Sequence, residues 1–223
     1  MKKSALKSFG LVLLSLVFFS QLTAQIKEGT ITYTMTIDGL PPDQAAMMEG
    51  MEMKTIFKNG KSRSEMNSAF MNSITVTDEK GDFVVLMDGM GQKSYMKGNA
   101  NDAKKKKKSE EKDPKITYTE EKKTIAGYEC KKAIVEDESS KGEKTKSTLW
   151  YTEKIAPIKS GGRRNMQFKG LNGVPLEFEM PQGPMNIKIS ATKISDSPVA
   201  DDLFKVSTEG YTEMDPSSIP GQQ

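Results

Sequence analysis

Apolar and polar residues alternate along the segment 30–38. Ile31, Tyr33, Met35 and Ile37 occupy every second position, and threonine or aspartate fills the positions between and after them. A period of two residues is typical of a half-buried β-strand, because successive side chains of a strand point to opposite faces of its sheet. The segment therefore predicts a strand with one apolar face and one polar face.

Shorter segments of strand-like composition follow as far as residue 99, and turn sequences separate them. Asn59-Gly60 is a strong two-residue hairpin signal. Beyond residue 114 the pattern resumes, with 149–152, which holds the only tryptophan, and with the neighbouring segments 175–180 and 185–194. About ten short strands joined by such turns predict an antiparallel meander.

Three segments depart from this pattern. Residues 44–51 predict a short helix that Asp43 can cap at its amino end. Residues 99–114 hold five consecutive lysines and then three acidic residues, so we interpret them as a solvated loop whose charges largely cancel. Residues 213–223 are rich in proline, serine and glutamine, and we expect them to be disordered.

The first 25 residues have the layout of a cleaved secretory signal peptide. Lys2, Lys3 and Lys7 precede the apolar run 11–19, and small or polar residues follow it. The run is too short for a permanent membrane-spanning helix, which needs about 20 apolar residues. We therefore expect a protein that is exported to the periplasm or the cell exterior, with one mature domain at residues 26–212.

The charge of the mature chain is balanced. Removing the three lysines of the signal segment from the 33 basic residues leaves 30, which equals the number of acidic residues. Binding to nucleic acid would favour a basic excess on the folded domain, so we expect no nucleic-acid partner.

The chain contains no histidine and one cysteine, Cys130. Histidine is the commonest general base and metal ligand of enzymes, and none is present to activate the Cys130 thiol. We therefore expect no enzymatic activity, no catalytic residues and no cofactor. Cys130 is interpreted as a small buried apolar side chain.

Several short sequences, in their order along the chain, resemble a secreted bacterial family of unknown function. These sequences are residues 29–33, 58–61, 125–132, 149–152, 173–177, 202–204 and 210–211. The family is related to the GLPGLI-type proteins and, more remotely, to the LolA/LolB lipoprotein carriers. Residues 173–177 read Gly-Val-Pro-Leu-Glu and so depart from the Gly-Leu-Pro-Gly-Leu-Ile motif of the GLPGLI group.

The resemblance implies a mainly β (α+β) domain, a strongly curved antiparallel half-barrel like that of LolA. One or two short helices would cover its concave side and leave an apolar space between sheet and helices. In the lipoprotein carriers that space takes acyl chains. The resemblance implies no enzymatic activity.

The leading hypothesis is a monomeric periplasmic protein that binds a hydrophobic small molecule, such as an acyl chain or another lipid moiety. The residues expected to line the ligand space are Ile31, Tyr33, Met35, Met48, Met51, Val85 and Trp150. An alternative is an envelope interaction module that contacts a protein partner and holds no small ligand.

Four methionines within seven residues allow a further alternative. Met47, Met48, Met51 and Met53 could bind Cu(I), because thioethers suit this soft ion. The same side chains also make adaptable apolar surface, and they are common as ordinary core filling. The metal alternative is therefore ranked below the apolar ones.

Overall fold

Twelve β-strands lie side by side in one sheet in the part of the chain that the structure describes. The computed structural model describes residues 25–41, 51–68, 71–99, 114–138, 144–160, 168–182 and 185–214. The strands are β1 (Glu28–Asp38), β2 (Glu52–Lys58), β3 (Lys61–Asn67), β4 (Met71–Thr77), β5 (Asp82–Gly89), β6 (Gln92–Asn99), β7 (Lys115–Ile125), β8 (Tyr128–Glu138), β9 (Lys144–Thr152), β10 (Val174–Gln182), β11 (Met185–Ser195) and β12 (Thr212–Glu213). One 3-10 turn, Asp201–Phe204, lies between β11 and β12.

Two antiparallel meanders make up this sheet. Its strand order is β12-β6-β5-β4-β3-β2-β1-β11-β10-β9-β8-β7, so β1 to β6 form one meander and β7 to β11 the other. They join where β1 pairs with β11, and the short β12 pairs in parallel with β6. Within the described residues no pairing connects β7 to β6 or β12, so the result is an open sheet, which twist makes curved.

The apolar residues of β1 define one face of the sheet, here called the inner face. Ile31 and Tyr33 lie on it, and both are buried. Pairing places Ile189 and Phe178 on the same face, and these residues belong to the main hydrophobic core. The period of two that predicts β1 therefore also determines which of its side chains enter the core.

Burial decreases along β1 from its beginning to its end. Ile31 is fully buried and Tyr33 nearly so, whereas Met35 and Ile37 are only half-buried. Segment 153–160 covers the inner face near the start of β1, where Ile155 is buried. We call this the closed end of the sheet, and the end at which β1 finishes the open end.

Hydrogen bonds hold the covering segment across the sheet. The backbone N–H of Ile26 donates to the carbonyl of Lys154 at 2.8 Å. The Ser62 hydroxyl, on β3, donates to the carbonyl of Lys159, and the Lys159 ammonium donates to the carbonyl of Glu79. The closed end is therefore tied to both meanders.

The C-terminal segment 196–214 packs against the outer face of β2 to β6. Lys58 contacts the carbonyl of Val199, and Arg63 donates to the carbonyl of Leu203 at 3.1 Å. The Tyr95 hydroxyl donates to Glu213 at 3.0 Å. Among the described residues, this segment thus covers the outer side of the first meander.

The prediction of a mainly β fold with an antiparallel meander is confirmed, with some differences. The described residues contain twelve strands instead of about ten. One addition is β12, since Glu213, expected in a disordered tail, pairs with Tyr95. The predicted helix at 44–51 lies outside the described residues except for Met51, and the lysine-rich loop lies outside them except for Asn99 and Pro114.

Gly173 provides a test of this architecture. Its φ is +144°, and a Cβ added there would overlap the carbonyl oxygen of Thr152. We expect Gly173→Ala to lower the free energy of unfolding by roughly 3 kcal/mol, because backbone strain and a backbone clash add together. Urea unfolding monitored by far-UV circular dichroism measures this change.

Gly91 supplies the matched control. Its φ is +75°, and an added Cβ would meet nothing within 4 Å. Gly91→Ala should therefore cost only about 1 kcal/mol, the strain of a left-handed alanine. Equal losses in the two variants would contradict the close approach of Gly173 to Thr152.

Candidate functional site

Eight neighbouring strands of the sheet, from β6 through β1 to β11 and β10, each carry one methionine. The register carries the inner face from strand to strand: Tyr33 pairs with Met53, and Met53 pairs with Met66. Met66 pairs with Ser73, which pairs with Met87. All eight methionines fall on the inner face: Met35, Met53, Met66, Met71, Met87, Met96, Met180 and Met185.

Charged side chains are absent from this face in the same eight strands. Every aspartate, glutamate, lysine and arginine of the eight strands occupies a position that alternates with the inner-face residues and therefore points outward. The positions between the methionines of β3 to β6 are mainly hydroxyl residues: Ser62, Ser64, Ser73, Thr75, Thr77 and Ser94. We call this uncharged surface the methionine face.

The methionine face is only partly covered by the described residues. Met53 is 5% exposed, and Met71, at the open end, is 41% exposed. Met66, Met87 and Met96 lie between these limits. Unbranched thioether side chains can rearrange around different shapes, so this surface suits contact with a flexible apolar group.

Five of the residues predicted to line a ligand space lie on or beside this face. Ile31 and Tyr33 are in the packed core, and the Tyr33 hydroxyl donates to the carbonyl of Pro175 at 3.1 Å. Met35 is half-buried beside them, and Met51, which precedes β2, is buried. Val85 shares the face because it pairs with Met96.

The sixth described residue, Trp150, lies on the outer face. It pairs with Lys132 and Glu177, whereas its neighbours Leu149 and Tyr151 point inward and are buried. The Lys123 ammonium lies 4.4 Å from the centroid of the Trp150 ring, a cation–π contact. The structure therefore does not bring Trp150 together with the other predicted lining residues.

Glu177 completes this outer cluster. The Lys123 ammonium is 2.7 Å from one Glu177 oxygen, and the Ser190 hydroxyl donates to the other at 3.1 Å. Burial alone would raise the pKa of Glu177, but the bonds from Lys123 and Ser190 and the charge of Lys188 lower it overall. The cluster is satisfied internally and supports the outer surface.

The copper alternative is only partly described. Met51 and Met53 are both buried, whereas Met47 and Met48 lie outside the described residues. Met48 was also one of the predicted lining residues, and that prediction is therefore not described either. In the described ranges no three or more histidine, cysteine, aspartate or glutamate side chains form a group suited to a metal ion. The thioether site stays a prediction.

The fold and its methionine face together define a class of protein, one built on a single open antiparallel sheet with an uncharged inner surface. The chain belongs to the DUF4412 family, a domain of unknown function whose model matches residues 28–209. This family assignment confirms the predicted resemblance to a family of unknown function, and secretion of the family stays a prediction. The further links to the GLPGLI-type and LolA/LolB proteins stay predictions.

Solved structures add a likeness in fold. PNGF-II is 18% identical, with a TM-score of 0.50, over 85% of this chain and 31% of that chain. The chain thus spans about a third of the length of PNGF-II, and at this identity the likeness concerns the fold alone. No curated protein matches the chain in sequence.

Two mycobacterial proteins, one of them a lipoprotein (LppX), are more loosely similar. LppX of Mycobacterium tuberculosis is 11% identical, with a TM-score of 0.33, over 77% of this chain and 88% of that chain. LprF of Mycobacterium bovis is 11% identical, with a TM-score of 0.34, over 78% and 88%. Neither likeness is close enough to support an argument. None of the described helices is long and apolar enough to span a membrane.

Cys130 is fully buried, and this burial raises the pKa of its thiol to about 11. Compared with the ordinary value of 9.0, such a shift lowers the thiolate fraction near pH 8 about 100-fold. We expect the native protein to react with Ellman's reagent at pH 8 at least ~100-fold more slowly than the protein in guanidinium chloride. Rates within tenfold of each other would contradict the buried, inert thiol.

Proposed function

We propose that this chain is an exported, non-enzymatic protein that holds an apolar ligand, such as an acyl chain, against its methionine face. One observation supports this most strongly: each of eight neighbouring strands directs a methionine, and no charged residue, to the inner face. The layout of residues 1–25 supports export.

The gradient of burial supports a ligand at the open end. Near the closed end, Ile31, Leu149 and Leu176 are fully buried, and the protein fills its own interior. Toward the open end, Met35, Met66 and Met87 keep part of their surface accessible. Covering such surface with an acyl chain stabilises the complex by about 0.8 kcal/mol for each buried CH₂ group.

The absence of charge sets the orientation of the ligand. An ionised group moved into this uncharged region would lose its hydration without gaining an opposite charge, which is strongly unfavourable. A charged head group therefore stays outside, at the open end, while the apolar part lies on the methionine face. Neutral ligands are bound without this restriction.

A second candidate is an interaction module whose open end contacts an envelope protein. Met71 and Met90 favour this alternative, because they are 41% and 92% exposed at the same corner of the sheet. Met90 lies in the turn between β5 and β6, directly after Gly89, which pairs with Met71. Exposed apolar side chains that cluster in this way are typical of protein contacts.

Substitution of two half-buried methionines tests the proposed site. We expect Met66→Gln with Met87→Gln to raise the dissociation constant for the neutral probe N-phenyl-1-naphthylamine at least ~tenfold, because each amide makes the face polar toward its open end, where the ligand is proposed to lie. A fluorescence titration measures this affinity, and urea unfolding establishes that the variant is folded.

The control is Met90→Gln, the same chemical change at an exposed position of a turn. It should leave affinity for the probe unchanged. A folded Met66→Gln/Met87→Gln variant with the affinity of the original protein would place the probe elsewhere. Absence of binding by the original protein would instead favour the interaction module.

A further inference from the structure

A small cleft lies at the β7 edge of the sheet, and it is not formed by the methionine face. Its volume is about 270 Å³, and its lining includes Tyr118, Lys131, Tyr151, Glu153 and Asn172. This volume is slightly below the range of pockets for drug-sized ligands, which begins near 300 Å³. The cleft therefore fits a molecule of one or two small rings.

An irregularity of β7 lies at the cleft. Tyr118 pairs with Ala133 and Lys122 with Lys131, so four steps along β7 correspond to two along β8. Bulges of this kind redirect side chains and are frequent beside binding sites. Here the extra residues place Thr119 and Glu120 at the margin of the cleft.

Tyr118 is an exposed aromatic ring with a fixed position. It is 47% exposed, although its ring centroid lies 5.5 Å from that of buried Tyr151. Its hydroxyl donates to the carbonyl of Gly170 at 3.3 Å. An aromatic ring that is held in this way presents a flat apolar face, and little conformational freedom is lost when a ligand covers it.

The charges around the cleft cancel. Two acidic and two basic side chains line it: Glu120, Glu153, Lys122 and Lys131. The Lys131 ammonium is 2.8 Å from Glu153, and the Lys122 ammonium is 3.2 Å from Glu129. Both cations are already paired, so an anionic ligand would have to compete with these carboxylates.

The polar groups nevertheless offer many hydrogen bonds. Lys131 and Asn172 can donate, and Glu153, Thr119 and Asn172 can accept. A suitable ligand is uncharged, carries several hydroxyl groups and has an apolar ring face that can lie on Tyr118. A simple acyl chain cannot form hydrogen bonds with these donors and acceptors. A phosphate would be repelled by the two carboxylates.

We propose that this cleft binds a neutral saccharide of one or two rings, with a sugar ring stacked on Tyr118 and its hydroxyls bonded to Lys131, Glu153 and Asn172. This site is independent of the apolar ligand on the methionine face. It gives the protein a second ligand of different chemistry at the opposite part of the sheet.

The test is a titration of the ¹⁵N-labelled protein, without its first 25 residues, with glucose, N-acetylglucosamine, cellobiose and chitobiose. We expect at least one of these sugars to bind with a dissociation constant in the millimolar range. The amide shifts that change should cluster at β7, β9 and Asn172. Each sugar is tested at 50 mM, about ten times the largest dissociation constant expected for so small a contact. The proposal would be overturned if none of the four sugars changed any amide shift.

Tyr118 variants locate the binding. Tyr118→Ala should weaken binding of that sugar at least tenfold, whereas Tyr118→Phe, which keeps the ring, should weaken it less than threefold. Tyr95→Ala is the control for loss of a tyrosine at the other edge of the sheet, where Tyr95 contacts Glu213. It should leave the affinity unchanged.

Two results would contradict the assignment even if a sugar binds. Unchanged affinity in Tyr118→Ala would place the sugar elsewhere, and equal losses in Tyr118→Ala and Tyr95→Ala would indicate a general effect on the fold. The Met66→Gln/Met87→Gln variant should bind the sugar with unchanged affinity. A wrong proposal for the methionine face can therefore be distinguished from a wrong proposal for this cleft.

Discussion

The central strand β1 is the element on which the rest of the sheet depends. It pairs with β2 on one side and with β11 on the other, and so joins the two meanders. Because side chains alternate along a strand, this double pairing determines which alternate residues of each following strand point inward. A shift of β2 by one residue would direct Lys54 into the core and Met53 to the solvent. Because β3 to β6 pair in sequence with β2, their inward and outward residues would be exchanged as well. The burial of Ile31 and Tyr33 opposes such a shift.

This constraint explains why the methionine face is uncharged over so wide an area. Lys54 and Glu65 lie opposite each other on the outer face, as do Asp88 and Lys93. Outer pairs such as Lys93 and Asp88, whose side chains are 55% and 42% exposed, contribute little to stability. In the eight strands of the methionine face, charge is thus tolerated outside and excluded inside. The inner positions of β1, β10 and β11 are mainly aliphatic or aromatic, with one methionine in each strand, whereas those of β3 to β6 are mainly methionine, serine and threonine. This change of composition distinguishes a filled core from a surface that remains available.

Much of the fold could be predicted from the period of two, but the site could not be predicted in full. Segment 30–38 was correctly predicted as a strand, with the correct residues on its apolar face. Residues 149–151, in contrast, are three consecutive apolar side chains, so the pattern did not indicate whether Trp150 or its neighbours face inward. In segment 83–87 both faces are apolar, because Leu86 is buried on the outer face. The alignment of methionines from β6 to β10 depends on the register between strands, which a single sequence does not contain.

The most direct test of an apolar ligand on the methionine face is native mass spectrometry of the mature protein, purified from the cells that produce it. The sample is then extracted with organic solvent, and the extract is analysed for lipids. The account predicts a reproducible added mass that extracts as a molecule with an acyl chain. A bare protein mass, with no uptake of fatty acids, monoacylglycerols or phospholipids when they are added, would contradict it.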